Sequence, residues 1–524
     1  MLFTTMPSIR SLLILALVAA LAPIWITHRE MWDGVTIEYA FETGDLSGLL
    51  HAVTASGWPM AGWIYKILWT LQKQLSIPYW LGIDILFTLA LLGMAYEVFQ
   101  LAHQRLGWRK NLCAVALALF LAQPIWHFLM SGIHIVHVTG LWFLLLGHRL
   151  TSHKQIIFKA SGWVLVTLSF QFPVSIVMVF WLEWVLYVEA KKTQRQNLTR
   201  AILVALYAVA WYAASRTVFG PTQTFIGYNQ LLLPTSLESI QMIIWTGLKF
   251  ASWLLVLSAP LWAAIAWNRS SWNYQRVMQI GWTQNLGNRI SSPYGIAIVG
   301  CMVAIAPYWA VGKGPVVIMP YDWTARNALP LAIPLSLLMA LLIEKFAVIS
   351  DLHKRLKREN SLLTLIVIWW IAMSLAGVAG KLYQIKLEKA IETSLRRLPP
   401  PPSGIVTLQL PFDPLIRIRQ NEANGLFWRA YGRAEWAVLV GPPDKWIRLV
   451  RDSYVADRPE AVKNVSNFAL WAKFLVMADL KNFDCETTVV LTLPHHQHGL
   501  NAWVSWLSWS PFDLTASMEK TTCP

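Results

Sequence analysis

Charged side chains are scarce in this sequence. Only 14% of its 524 residues are Asp, Glu, Lys or Arg, whereas about 25% are charged in an ordinary soluble domain. A soluble chain of this length would form about three domains, each with a polar surface, and the charges present are too few to cover them. Because 56% of the residues are hydrophobic, a disordered protein is also excluded. A polytopic membrane protein remains.

Several motifs of nucleotide and metal chemistry are absent as well. The sequence contains no Walker A loop, no GxGxxG after a strand, no HExxH and no GxSxG, so ATP-driven transport is not expected. We predict no cofactor; a divalent metal is not predicted, and the sequence leaves metal dependence open. The net charge of +15 comes mostly from loops beside apolar runs. Basic loops beside apolar runs orient membrane proteins, so nucleic acid is not an expected partner.

Cysteine is rare, with four residues in the chain. Cys113 and Cys301 fall within apolar runs, and Cys485 and Cys523 lie outside them. A Cys485–Cys523 disulfide suits an oxidising compartment. Two free thiols suit the sequence equally well, because spacing alone does not prove a bond.

Long apolar runs, in contrast, are abundant. A spanning helix needs about 20 mostly apolar residues, and the sequence predicts about 11 such helices, the first over residues 8–27. The segment Gln171-Phe172-Pro173 is interpreted as the tip of a tight helical hairpin between two of them. The other ten predicted spans centre near Leu89, Ala118, Phe143, Val166, Val177, Leu206, Leu255, Ala304, Leu337 and Trp369.

Basic residues occupy alternate loops between these runs. They lie in the segments 105–110, 149–159, 191–200, 269–289 and 354–358. With eleven spans and a cytoplasmic N-terminus, all five basic loops fall on the cytoplasmic side, as the positive-inside rule requires. We therefore predict a multi-pass protein of the bacterial plasma (inner) membrane whose C-terminal segment is extracytoplasmic.

Two units follow from the change in composition along the chain. Residues 1–380 form a transmembrane module, which includes an outward acidic loop over 28–57 and an amphipathic, interfacial helix over 58–75. Residues 381–524 form an extracytoplasmic α/β domain. Its predicted elements are helices over 382–398 and 467–480 and strands over 404–410, 436–440 and 487–493.

Carboxylates are concentrated in the acidic loop. A carboxylate near a bilayer and under protein can have a raised pKa and act as a general base, although a solvated loop that balances charge gives the same pattern. Asp33 is the best placed, six residues past the first span, while Glu38 and Glu42 share a helix face. The five acids are Glu30, Asp33, Glu38, Glu42 and Asp45.

A second outward loop, over 312–327, carries cations on the side that is otherwise poor in them. Lys313 and Arg326 lie there, and the sequence predicts that Arg326 begins a helix that Pro330 and Pro334 kink or wedge open. A guanidinium binds phosphate oxygens in pairs, and interfacial snorkelling is the alternative. Arg216 is a weaker candidate for the same role.

Three histidines, His127, His134 and His137, share one short outward turn. A metal site is one interpretation of this pattern. Polar capping of a helical hairpin is favoured, because no carboxylate or cysteine lies nearby in the sequence. We interpret His495, His496 and His498 in the C-terminal unit as part of an exposed loop.

The layout resembles the GT-C class of membrane glycosyltransferases, which use a sugar carried on a polyprenyl phosphate. The acid that often follows the first Asp of that class is Gly34 here, and His134 and His137 stand where a second acid is common. The matching residues are Trp32-Asp33-Gly34, Glu38-Tyr39-Ala40 and Gly44-Asp45 in the acidic loop, and Tyr321, Arg326, Pro330 and Pro334 later in the chain.

The resemblance implies a GT-C-like helix arrangement and an inverting transfer of a hexose or pentose to a lipid-linked or envelope glycan, for example in lipopolysaccharide synthesis. Asp33 would be the general base and Glu38 a second catalytic acid. Arg326, Lys313, Tyr321 and Arg216 would bind the phosphate of the donor. A transporter or flippase, an O-antigen polymerase or ligase, and a non-catalytic envelope assembly protein are the alternatives.

Overall fold

The computed structural model is mainly helical, with a small C-terminal sheet. Its helices, in chain order, are α1 Ile9–Trp25, α2 Val35–Thr43, α3 Ser47–Ala55, α4 Pro59–Leu75, α5 Tyr79–Gln100, α6 Lys110–Ala122, α7 Ile135–Thr151, α8 Ile156–Ser169, α9 Pro173–Glu189, α10 Gln194–Phe219, α11 Leu237–Trp267, α12 Pro293–Ala310, α13 Ala332–Phe346, α14 Leu352–Arg396 and α15 Gln420–Tyr431. The structure describes residues 7–26, 29–30, 34–55, 57–189, 194–219, 232–267, 291–315, 323–347, 352–402, 404–410, 418, 420–433, 436–440, 486–492 and 514–522.

Apolar runs account for the long helices. Each of the eleven predicted span centres falls within a helix, and Pro173 begins α9 directly after the predicted hairpin tip. Six helical stretches in the described part are long and apolar enough to cross a membrane, and four more apolar helices are shorter. The chain is thus a helical membrane protein, and the number of crossings stays a prediction. The six stretches are Tyr79–Arg105, Gly132–Thr151, Leu198–Ser215, Leu237–Ala264, Pro293–Ala310 and Arg355–Arg396.

The helix starts follow local chemistry. The Ser8 hydroxyl accepts a hydrogen bond from the backbone N–H of Ser11 at 3.2 Å and caps α1. Ser292 caps α12 in the same way, with Pro293 in its first turn. Pro59 occupies the first turn of α4. Backbone N–H groups there have no acceptor within the helix, so the missing N–H of proline costs no hydrogen bond.

Ion pairs connect the basic ends of neighbouring helices. Arg149 binds Glu97 at 2.8 Å and Arg200 binds Glu183 at 3.1 Å, while Nε2 of His148 lies within hydrogen-bond distance of the Glu183 carboxylate, at 3.1 Å. Glu344 accepts from both Arg109 and Arg355. Glu97, Glu183 and Glu344 are thus each paired with at least one arginine at this end. Which side of the membrane this end faces stays a prediction.

The acidic loop over 28–57 is more ordered than the sequence predicts. It holds the short helices α2 and α3, and α2 ends at Gly44, whose φ of 79° suits glycine. The predicted amphipathic helix over 58–75 is present as α4, with Trp63, Ile67 and Leu75 more than half exposed. Its interfacial position stays a prediction.

The described residues of the C-terminal unit form a four-stranded sheet, α15 and the last turns of α14. The strands are β1 Gly404–Gln409, β2 Trp436–Val440, β3 Glu486–Thr492 and β4 Thr515–Thr522, in the order β2-β1-β3-β4. β1 is parallel to β2 and β3, and β4 is antiparallel to β3. The predicted strands over 404–410, 436–440 and 487–493 thus correspond to β1, β2 and β3.

A second hydrophobic core lies between this sheet and its two helices. Helix α14 contributes Leu387, Ile391 and Leu395, which pack with Val406 of β1 and Phe427 of α15. Helix α14 is continuous across the predicted boundary at 380/381, so the two units share one helix.

Several predictions for the C-terminal unit fall outside the described residues. These are the helix over 467–480, the histidines at 495–498, and Cys485 and Cys523. The extracytoplasmic location of this unit stays a prediction.

Candidate functional site

The predicted site residues are only partly described. Asp33 and Tyr321 lie outside the described residues, as does the side chain of Arg216 on α10. Glu38 lies on α2. Lys313 follows α12, and Arg326 lies in a 3-10 segment, Trp323–Ala328, before α13.

The three histidines lie in residues 126–137, which we name the histidine turn. It consists of two 3-10 segments, Trp126–Met130 and Gly132–His134, followed by the start of α7. His127 and His134 are buried. The Trp126 indole donates to the Leu121 carbonyl at 3.0 Å and so ties the turn to the end of α6.

Aromatic rings surround His137 at one side of the turn. Its ring stacks on Trp58, with centroids 5.4 Å apart, and meets Phe172 edge-on at 5.1 Å. The ring centroids of His134 and His137 lie 5.8 Å apart. Among the described residues, no group of three or more His, Cys, Asp or Glu side chains is arranged to hold a metal.

Glu30 binds the histidine turn directly. The Gly132 N–H donates to both carboxylate oxygens at 3.0 Å, and the Ser131 hydroxyl donates to Oε2 at 3.0 Å. The Tyr65 hydroxyl in turn donates to the Gly132 carbonyl at 3.0 Å. Burial, only partly offset by these hydrogen bonds, raises the pKa of Glu30 to about 8.

Gly34 makes room for this carboxylate. A Cβ at position 34 would lie 2.1 Å from Oε2 of Glu30 and 2.5 Å from the Ser131 hydroxyl. The φ of Gly34 is −63°, so the requirement for glycine is steric and not conformational. Glu30 therefore occupies the space that a side chain after Asp33 would take.

A small cavity opens beside Glu30. Asp84 of α5, Trp80 and Arg29 share its lining with Glu30. Glu30 and Asp84 thus face one small space at the end of the bundle where the acidic loop over 28–57, from here on the acidic segment, enters. Glu30 is one of five acids in the acidic segment, and no local sequence pattern distinguishes it, because the partners of its carboxylate are about 100 residues away in the chain.

Glu38 is paired with an arginine of the C-terminal unit. The Arg429 guanidinium donates from Nε to Oε1 of Glu38 at 3.1 Å and from Nη2 to Oε2. Nη2 also donates to the Glu30 carbonyl at 2.9 Å, and Nη1 lies 3.4 Å from Glu388. Burial lowers the pKa of Arg429, but the Glu38 carboxylate outweighs it and the net shift is upward.

The predicted cations approach the same turn from another side. The 3-10 segment that contains Arg326 packs against the segment Trp126–Met130. Helix α12, which ends just before Lys313, also contacts this 3-10 segment. The histidine turn thus contacts the acidic segment through Glu30 and lies near two cations.

No protein-family profile and no curated protein matches the chain by sequence. Two crystal structures of ArnT from Cupriavidus metallidurans are similar in structure. The complex with undecaprenyl phosphate has 12% identity and a TM-score of 0.43, over 93% of each chain. The apo form has 13% identity and a TM-score of 0.41, over 91% of this chain and 92% of that one. These values do not assign the chain to a family.

Proposed function

We propose that this protein is a GT-C-type membrane glycosyltransferase that moves a sugar from a polyprenyl-phosphate carrier to a glycan or lipid acceptor at the outer membrane face. One observation carries the proposal. The acidic segment contacts the histidine turn through Glu30, three residues before Asp33, and the 3-10 segment that contains Arg326 packs against the same turn. Sugar transfer from a lipid phosphate needs both a base and cations.

The proposed reaction begins at the acceptor. Asp33 takes the proton of the acceptor hydroxyl while its oxygen attacks the anomeric carbon. The bond from that carbon to the phosphate oxygen breaks, and its electron pair leaves with the polyprenyl phosphate. Attack from the opposite face inverts the anomeric configuration.

Cations stabilise the charge that develops on the leaving phosphate. We assign this role to Arg326 and Lys313, with Tyr321 and Arg216 as further candidates. Glu38 is engaged by Arg429, so we assign it to holding the acidic segment and not to proton transfer.

Transfer assays with the full chain in lipid nanodiscs test this proposal. The probes are undecaprenyl-phosphate-linked radiolabelled hexoses and pentoses, with a membrane lipid extract as the acceptor source. We expect the wild type to release undecaprenyl phosphate. Asp33→Asn should lower that release at least 100-fold without changing undecaprenyl phosphate binding.

The exposed acid Glu42 supplies the matched control. Glu42→Gln should keep release within twofold of the wild type, whereas Arg326→Ala should weaken undecaprenyl phosphate binding about tenfold, the loss typical of one charged hydrogen bond. Release by Asp33→Asn at the wild-type rate would contradict the assignment of the base. Movement of intact donor across a bilayer without release would favour a flippase.

A further inference from the structure

One guanidinium binds both ends of the segment that contains Asp33. Arg429 donates to the main-chain carbonyl of Glu30, three residues before Asp33, at 2.9 Å. It also binds the carboxylate of Glu38, five residues after Asp33, with Nε at 3.1 Å from Oε1. Glu30 and Glu38, which flank Asp33 in the sequence, are thus held by one side chain.

Helix packing brings Arg429 to this place. Gly425 lies one turn before it on α15, and a Cβ at position 425 would be 2.1 Å from Cγ1 of Val35 on α2. Trp428 meets Tyr39 of α2 edge-on, with centroids 5.2 Å apart. The first turns of α2 therefore lie directly against the C-terminal unit.

Further ion pairs fix the guanidinium itself. Glu388 of α14 accepts from Arg429 at 3.4 Å and from Arg29 at 3.2 Å, and Arg29 also binds Glu392 at 3.0 Å. The Arg429 side chain is only 7% exposed, so its donors rely on these protein acceptors. An ammonium group lacks the planar fork that serves several acceptors at once.

We propose that Arg429 is a positioning residue for Asp33, so that the C-terminal unit completes the site at the membrane. This inference rests on the proposed function. A reacting group must be held within about 0.5 Å of its productive position, so a loosened segment lowers turnover. Donor binding, which we assign to the cations of the loop over 312–327, is unaffected by this loosening.

The test compares Arg429→Lys with the wild type in the nanodisc transfer assay. We expect kcat to fall at least tenfold, with the donor KM and undecaprenyl phosphate binding within twofold. Arg396→Gln is the matched control, because Arg396 binds Glu392 and the Arg429 carbonyl but neither end of the segment. It should keep kcat within twofold.

A wild-type kcat in Arg429→Lys overturns the inference, as does an equal loss in Arg396→Gln. Amide hydrogen exchange separates this result from a failure of the proposed function, since it needs no substrate. Arg429→Gln should speed exchange over residues 31–38 at least tenfold relative to Arg396→Gln, with β1 unchanged. Unchanged exchange over 31–38 also overturns the inference, whether or not the wild type transfers sugar.

Discussion

Burial distinguishes Glu30 from the other acids of its segment. Glu30 is 6% exposed and is bound by the histidine turn. Glu42 is exposed, and Asp45 accepts from the backbone N–H of Ser47 at 2.8 Å as a local cap. The described carboxylates of this segment thus differ in their surroundings, because tertiary contacts decide which of them leaves water.

The buried carboxyl of Glu30 predicts a pH-dependent stability. Its pKa is about 8 in the folded protein and 4.5 ordinarily, so the folded state binds the proton more tightly. Stability should therefore fall as the pH rises from about 4.5 to 8. In Glu30→Gln, the amide oxygen still accepts from the Gly132 N–H, but the side chain does not titrate. The variant should therefore lack this pH-dependent loss in the free energy of unfolding, which is a few kcal/mol at about 1.4 kcal/mol per unit of pKa shift.

Thermal unfolding in detergent between pH 5 and 9 measures this effect. Charged and titratable groups around Glu30 remain in the variant, and they include Arg29, Glu38, Tyr65, Tyr79, Asp84, Lys381 and Arg429. Glu42→Gln is the control and should retain the wild-type pH dependence. A Glu30→Gln variant with the same slope as the wild type would show that another group titrates.

At the scale of elements, the contact between α2 and α15 is closely packed at Gly425. Gly425→Ala would place a Cβ 2.1 Å from Val35, and such overpacking costs about 1–3 kcal/mol. Val35→Ala removes the methyl group that clashes, so the double variant should recover much of the loss. Unfolding midpoints of the two single variants and the double variant measure the coupling, and purely additive losses would contradict the contact.

The sequence predicts the elements better than their contacts. Apolar runs locate the long helices, Pro173 locates a hairpin and the amphipathic pattern locates α4. The helices α2 and α3 were expected as a loop, because nine residues each give too short a pattern. The Arg429–Glu38 pair joins residues 391 positions apart, and no local periodicity reports such a contact.

At the scale of the whole molecule, charge distinguishes the two ends of the bundle. The basic ends of α7 and α10 are held by Glu97 and Glu183, while the acidic segment lies at the histidine turn. Positive loops remain cytoplasmic during insertion. We therefore predict that Lys154, which is exposed beside α8, faces the cytoplasm and that Glu42 faces outward.

Single cysteines at these two positions test the orientation, in a background that lacks the four native cysteines. A membrane-impermeant maleimide should label Glu42→Cys in intact cells, and Lys154→Cys only after the membrane is permeabilised. The two variants are each other's control, because both positions are exposed and differ only in the predicted side. Labelling of Lys154→Cys in intact cells would show that the protein has the opposite orientation. The proposed site would then lie on the cytoplasmic face of the membrane.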